Sequence, residues 1–104
     1  MNFYKEIPPS QIAAEKEYFC AAIYKLLPYK ESSYEYLDNY FESLQQQLIG
    51  FNKLSGCQPE VITILSLLRY AQDEEDVQKY RKAVFDACGM IKLIKESDVD
   101  AWHF

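Results

Sequence analysis

Apolar side chains recur at spacings of three and four through most of this chain, the period of a helix with one buried face and not the alternation of a strand. Ser10 reads as an N-cap, because its hydroxyl can accept from the amides of a first turn. Beyond it Ile12, Phe19, Ile23, Leu26 and Leu27 share a face, and Lys16 is the one charged residue at its edge, its stem lying along apolar surface with the ammonium reaching outward. The pattern predicts a helix over 10–27, ended by Pro28, which has no amide to donate and crowds the preceding turn. Residues 1–9 read as an extended lead-in, since Pro8 and Pro9 restrict the backbone.

A capping-box pattern, Ser32-Ser33-Tyr34-Glu35, predicts the start of a second helix over 32–55. Leu37, Phe41, Leu44, Leu48 and Phe51 follow at alternating spacings of four and three, the seam of a helix packed almost lengthwise on its neighbours. Gly50 interrupts this seam at a cost of about 1 kcal/mol relative to alanine, which points to a close helix approach or a bend. Gly56 reads as the stop.

Pro59 suits the first position of a third helix, over 59–72, where the amide it lacks has no helical partner. Val61, Ile62, Ile64, Leu65, Leu67, Leu68 and Ala71 leave only Thr63, Ser66 and Tyr70 as a polar strip, so this helix is expected to be the buried centre. A strand over 61–68 is the competing reading, but no other segment offers it a partner. Asp73-Glu74-Glu75-Asp76 supplies a cap and the acidic residues that a helix N-terminus favours, predicting a fourth helix over 74–96. Val77, Tyr80, Val84, Ala87, Cys88, Ile91 and Ile94 form its inner face, and Lys92 and Lys95 suit its C-terminal end. A tail, 97–104, follows. The expected architecture is therefore all-α, a bundle of three to four helices forming a single domain over 1–104.

Composition narrows the function by exclusion. With 49% hydrophobic and 26% charged residues the chain has the balance of a globular domain and not of a disordered one. A net charge of −5 and only two arginines argue against direct binding to nucleic acid or anionic lipid, both of which draw on clustered basic residues. The last two predicted helices do not suit a helix-turn-helix, because the second begins with Asp73 to Asp76 and would repel phosphates. No apolar run reaches the ~20 residues that span a bilayer, and Met1 to Pro9 has no secretory pattern, so the chain reads as cytoplasmic.

Chemistry is equally sparse. Cys20, Cys57 and Cys88 lie 37 and 31 residues apart with a single histidine, His103, a spacing that fits neither a zinc site nor a disulfide framework. Cys57 precedes a helix start, where a dipole favours the thiolate, but no base accompanies it. Cys20 and Cys88 are assigned to core packing. The acidic run lacks the spaced ligands and turn glycine of a calcium loop. The chain is therefore expected to be non-enzymatic and to need no cofactor or metal.

Tyrosine is the unusual component, nine residues in 104. The densest stretch runs from Tyr29 to Tyr40, interleaved with Glu31, Glu35 and Asp38. Tyrosine joins apolar area to a polar tip with little entropy to lose, and carboxylates beside it suit a partner rich in arginine and lysine. Tyr29, Tyr34, Glu35, Tyr36 and Asp38 are the candidate partner-binding residues, with Trp102 and Phe104 of the apolar tail as a second anchor. In size, charge and helicity the chain resembles the small acidic immunity proteins that neutralise bacterial toxins and the small phage-encoded inhibitors of host nucleases. That resemblance implies a protein-binding inhibitor masking a basic site on a partner such as a nuclease. The alternative is a self-associating structural or regulatory subunit, a homodimer for example, joined through Ile49, Phe85 and Leu93.

Overall fold

The computed structural model describes residues 9–56 and 58–95, and all the regular structure among them is helical. Five helices follow one another: α1 (Pro9–Tyr24), α2 (Leu26–Glu31), α3 (Leu37–Leu54), α4 (Pro59–Asp73) and α5 (Val77–Leu93). The expected all-α bundle is present, with α2 as an added short element. No helix among the described residues is long and apolar enough to cross a membrane.

Pro28 does not end the first helix as expected. It sits in the first turn of α2, where its missing amide is harmless, and the break falls a turn earlier, between Tyr24 and Leu26. A proline ring clashes with the carbonyl four residues before it, here that of Tyr24, so the ladder yields there. Lys25 keeps helical angles, and its amide still reaches the Ala21 carbonyl at 3.2 Å. Ser10 is likewise not the cap, since α1 begins one residue earlier at Pro9.

The capping box at Ser32 is also overturned. Ser32 closes α2 as its C-cap: its amide bonds the Pro28 carbonyl at 2.9 Å and its hydroxyl donates to the Tyr29 carbonyl at 3.3 Å. α3 starts only at Leu37, with Tyr36 at its N-cap position, so the amides that Ser32 would cap are not those of a helix start. Its seam is as read, with Phe41, Leu44, Leu48 and Phe51 buried and Leu37 half-buried. Gly56, with φ of +91°, provides the left-handed residue past the end of α3.

Gly50 marks neither a close approach nor a crowded bend. It is exposed, and a Cβ built on it meets nothing within 4 Å; the same holds for Gly89 in α5. Gly50→Ala and Gly89→Ala should therefore each stabilise the fold by about 0.5–1 kcal/mol, and the two gains should add. Urea denaturation of both single variants and the double variant checks this.

The buried centre is α5, not α4. α5 packs on α1, α2 and α4, and it buries Tyr80, Ala83, Val84, Ala87, Cys88 and Ile91. α4 buries a single stripe, Val61, Ile64, Leu68 and Ala71, and leaves Ile62 58% exposed. Thr63, Ser66 and Tyr70 lie outside as expected. Val77, placed by its spacing on the inner face of the last helix, is 54% exposed because it is the first residue of α5, whose N-cap is Asp76. That helix runs over 77–93 and not from residue 74, since Glu74 caps the end of α4.

Long side chains from other helices satisfy several helix-end carbonyls, which have no intrahelical donors. The Tyr40 hydroxyl donates to Ala22 at 2.6 Å near the end of α1. The Lys30 ammonium donates to Glu74 at 3.3 Å, at the end of α4. Lys16 donates to Ile94 at 2.7 Å and Lys92 at 3.3 Å, at the end of α5, so the residue read as snorkelling is a cap on a distant helix.

Candidate functional site

The Pro28 break builds the surface between α2 and α3. A six-residue helix leaves Tyr29 on its last turns, and the chain then reverses through Ser33, which takes a left-handed φ of 55°. The reversal returns the Tyr34 amide to the Tyr29 carbonyl at 3.0 Å. It lays the Tyr34 ring on that of Tyr29, with centroids 4.6 Å apart and planes 30° apart.

Two further rings extend the cluster. Tyr36 meets Tyr34 edge-on at 5.8 Å, and Tyr40, one turn into α3, meets Tyr29 edge-on at 5.1 Å. Offset and edge-to-face arrangements of this kind suit the quadrupoles of aromatic rings. The four rings form a chain in the order Tyr36, Tyr34, Tyr29, Tyr40, exposed at one end and anchored at the other. Tyr36 is 55% exposed and Tyr34 40%, whereas Tyr29 and Tyr40 are half-buried. Burial pushes the Tyr40 phenol up to about 12, with Tyr29 and Tyr18 adding to the shift, which keeps its proton in the bond to Ala22.

Carboxylates surround the rings. Glu35 and Asp38 are exposed beside Tyr34 and Tyr36, and Glu42 lies one turn after Asp38 on α3. Asp38 accepts a long hydrogen bond of 3.5 Å from the Gln72 amide, which loosely ties the surface to α4. Glu31 pairs with Arg81 at 3.7 Å, but both side chains are largely exposed, so this pair adds little stability. The Lys30 ammonium is turned away, lying 5.1 Å over the centroid of the Tyr80 ring. The patch is therefore aromatic and acidic.

Of the predicted binding residues, Tyr29, Tyr34, Glu35, Tyr36 and Asp38 are thus gathered at one turn, and Tyr40 joins them as the half-buried anchor. Sequence reasoning left Tyr40 out of the site. The four-residue step from Tyr36 was the available signal, although the bond to Ala22 was not legible. Trp102 and Phe104 lie outside the described residues, as do Cys57 and His103.

Ile49, Phe85 and Leu93 do not form one patch by contact. Ile49 lines a groove between α3 and α4 with Ile62 and Leu65, whereas Phe85 meets Tyr24 edge-on at 5.9 Å on the seam of α1 and α5. The acidic run of residues 73–76 serves local structure. Asp76 accepts from the Lys79 amide at 3.1 Å and Glu74 from the Asp76 amide at 2.9 Å, a bond that holds the Glu74 carboxyl below its ordinary range. Among the described residues no three or more His, Cys, Asp or Glu side chains cluster so as to hold a metal ion.

A second recess lies between α1 and α3, lined chiefly by Tyr18, Phe19, Gln47, Phe51 and Leu54. The Tyr18 hydroxyl donates to Gln47 at 2.6 Å across it. Gln11 and Glu15 also line it. Comparison of the chain with known protein families, curated proteins and solved structures returns no match.

Proposed function

We propose that this chain is a non-enzymatic protein-binding protein, an inhibitor of the immunity or phage anti-defence kind, which covers a basic site on a partner such as a nuclease. The observation that carries the reading is the pre-built ring chain from Tyr40 to Tyr36, whose exposed end is bordered by Glu35 and Asp38. Rings already held by their neighbours lose little freedom on binding, so more of the contact energy is realised as affinity. A guanidinium stacked on Tyr34 or Tyr36 would find a carboxylate within the same patch. The net charge of −5 would steer such a partner before contact.

The test is affinity capture from a native lysate, followed by titration of the captured protein at several salt concentrations. The complex should weaken as salt rises, and Glu35→Lys combined with Asp38→Lys should slow association and lower affinity by roughly tenfold or more. A salt-independent complex that tolerates both charge reversals would sink the reading. Self-association is the second reading, favoured by the exposed Ile62 and Ile49 on the groove of α3 and α4. Light scattering over a range of concentrations separates the two.

A further inference from the structure

Three contacts, each one turn apart on α1, join α1 to α5. Lys16 bonds the Lys92 and Ile94 carbonyls, Cys20 faces Cys88, and Tyr24 meets Phe85 edge-on at 5.9 Å. The partners descend along α5 as the residues ascend along α1, so the helices run antiparallel and the outer contacts fix the register of the middle one. At that middle position the sulfurs are placed reciprocally. Cys20 Sγ lies 3.7 Å from the Cys88 carbonyl oxygen, and Cys88 Sγ lies 3.7 Å from the Cys20 carbonyl oxygen. Both sulfurs therefore occupy the space between the two backbones.

The two thiols differ in access. Cys88 is buried at 1% exposure, whereas Cys20 is half-buried and lines an open cleft of about 500 Å³ with Ala13, Lys16, Glu17, Ile91 and Lys92. Among the described residues that line this cleft, Lys16 and Lys92 bring positive charge and Glu17 a carboxylate. An accessible thiol with a second thiol directly behind it is the arrangement that thiol–disulfide exchange requires, because the first is attacked from solvent and the second completes the bond.

We propose that Cys20 and Cys88 form a reversible dithiol–disulfide couple, oxidised by an anionic low-molecular-weight disulfide that enters through the cleft at Cys20. In the first step the Cys20 thiolate attacks one sulfur of the small disulfide, forming a mixed disulfide and releasing one small thiolate. In the second, the Cys88 thiol gives its proton to solvent and its sulfur attacks Cys20 Sγ, forming the bond between α1 and α5 and releasing the second small thiolate. The two protein thiols are oxidised by two electrons, which reduce the small disulfide to two thiols.

The second step is the slow one. Burial pushes the Cys88 thiol from 9.0 up to about 12 in the dithiol, with Cys20 adding to the shift and the Tyr24 hydrogen bond and the Lys92 charge opposing it. The Cys20 contribution ends in the mixed disulfide, but burial still keeps the thiolate fraction low and rising about tenfold per pH unit across the neutral range.

The experiment uses the full chain carrying Cys57→Ser, which leaves only the two thiols in question. The protein is incubated with oxidised glutathione, quenched with acid at intervals, alkylated and weighed intact by mass spectrometry. A single-glutathione adduct should appear first and then give way to a species lacking two hydrogens. Trypsin should yield peptides 17–25 and 83–92 joined. The second step should accelerate about tenfold between pH 7 and pH 8.

Adding Cys88→Ala should arrest the reaction at the adduct, and adding Cys20→Ser should abolish the adduct. Circular dichroism of each variant establishes that it is folded. An adduct on Cys20 that persists while Cys88 remains open to alkylation after unfolding overturns the proposal. So does a bond that forms only when the chain oxidises in urea.

Discussion

Tyr80→Ala is expected to lower the unfolding free energy by about 3–5 kcal/mol, a large part of the total for a domain of this size, and to shift the urea midpoint accordingly. Tyr80 is a buried junction of three helices. Its ring packs edge-on against Phe41 of α3 at 6.2 Å, the Lys30 ammonium of α2 lies over its face, and its hydroxyl donates to the Leu26 carbonyl at 2.7 Å. Alanine would leave a cavity and an unpaired carbonyl together. Tyr80→Phe keeps the ring and removes only the bond, so its cost should be about 1–2 kcal/mol.

The two variants should also differ from the parent in alkali. Burial raises the Tyr80 phenol well above its ordinary 10.0, Tyr40 to about 12, and the Cys88 thiol from 9.0 to about 12. Each group is held neutral by the fold and ionises more readily when unfolded. Their contribution is therefore complete below pH 9 and is lost progressively as pH rises toward 12. Tyr80→Phe should flatten that decline above pH 10. An unchanged slope would show that the phenol reaches solvent in the folded state.

Tyr34→Ala combined with Tyr36→Ala is expected to lower the unfolding free energy by only about 1 kcal/mol, the loss of ring contacts between partly exposed side chains, while costing a partner complex about 2 kcal/mol or more, roughly 30-fold in affinity. Tyr40→Ala should behave differently. It removes the bond to Ala22 and the edge contact beneath Tyr29, so it should lower both stability and affinity. Calorimetric titration of each variant, with urea denaturation in parallel, separates contact from support. Equal affinity losses for the two kinds of variant with no change in stability would contradict the proposed division of labour between exposed and buried tyrosines.

Legibility in the sequence followed the range of the interaction concerned. The seam from Phe41 to Phe51 and the turn at Gly56 depend on neighbours within a turn or two, and both were read correctly. Pro28 and Ser32 each permit two local solutions. Proline stops a helix or starts one, and serine caps either end. The choice is consistent with α2 being held against α5 by Leu26 and Lys30 on Tyr80 and against the end of α4 by Lys30 on Glu74, contacts made across more than 40 positions of sequence. Ile62 was misplaced because a spacing pattern finds apolar residues but does not say how wide a stripe the neighbours cover, and Val77 because the helix starts three residues later than its acidic run suggests.

The tyrosine-rich turn was visible as composition. That Tyr29, Tyr34, Tyr36 and Tyr40 form one chain of rings was not, because it depends on the left-handed Ser33 and on the carbonyl of Ala22 in another helix. The facing of Cys20 and Cys88 is of the same kind, set by the register of α1 on α5.

The sequence by itself determined that this chain folds as helices, where α4 lies and where α3 ends, and that it is acidic and rich in tyrosine, since periodicity, turn residues and charge are local or additive properties. Tertiary structure alone decided that α5 is the centre, that lysine and tyrosine side chains close the ends of distant helices, and which tyrosines stand exposed together. Those outcomes rest on packing and hydrogen bonds between residues far apart in the chain, and no local pattern encodes which of the available faces will meet.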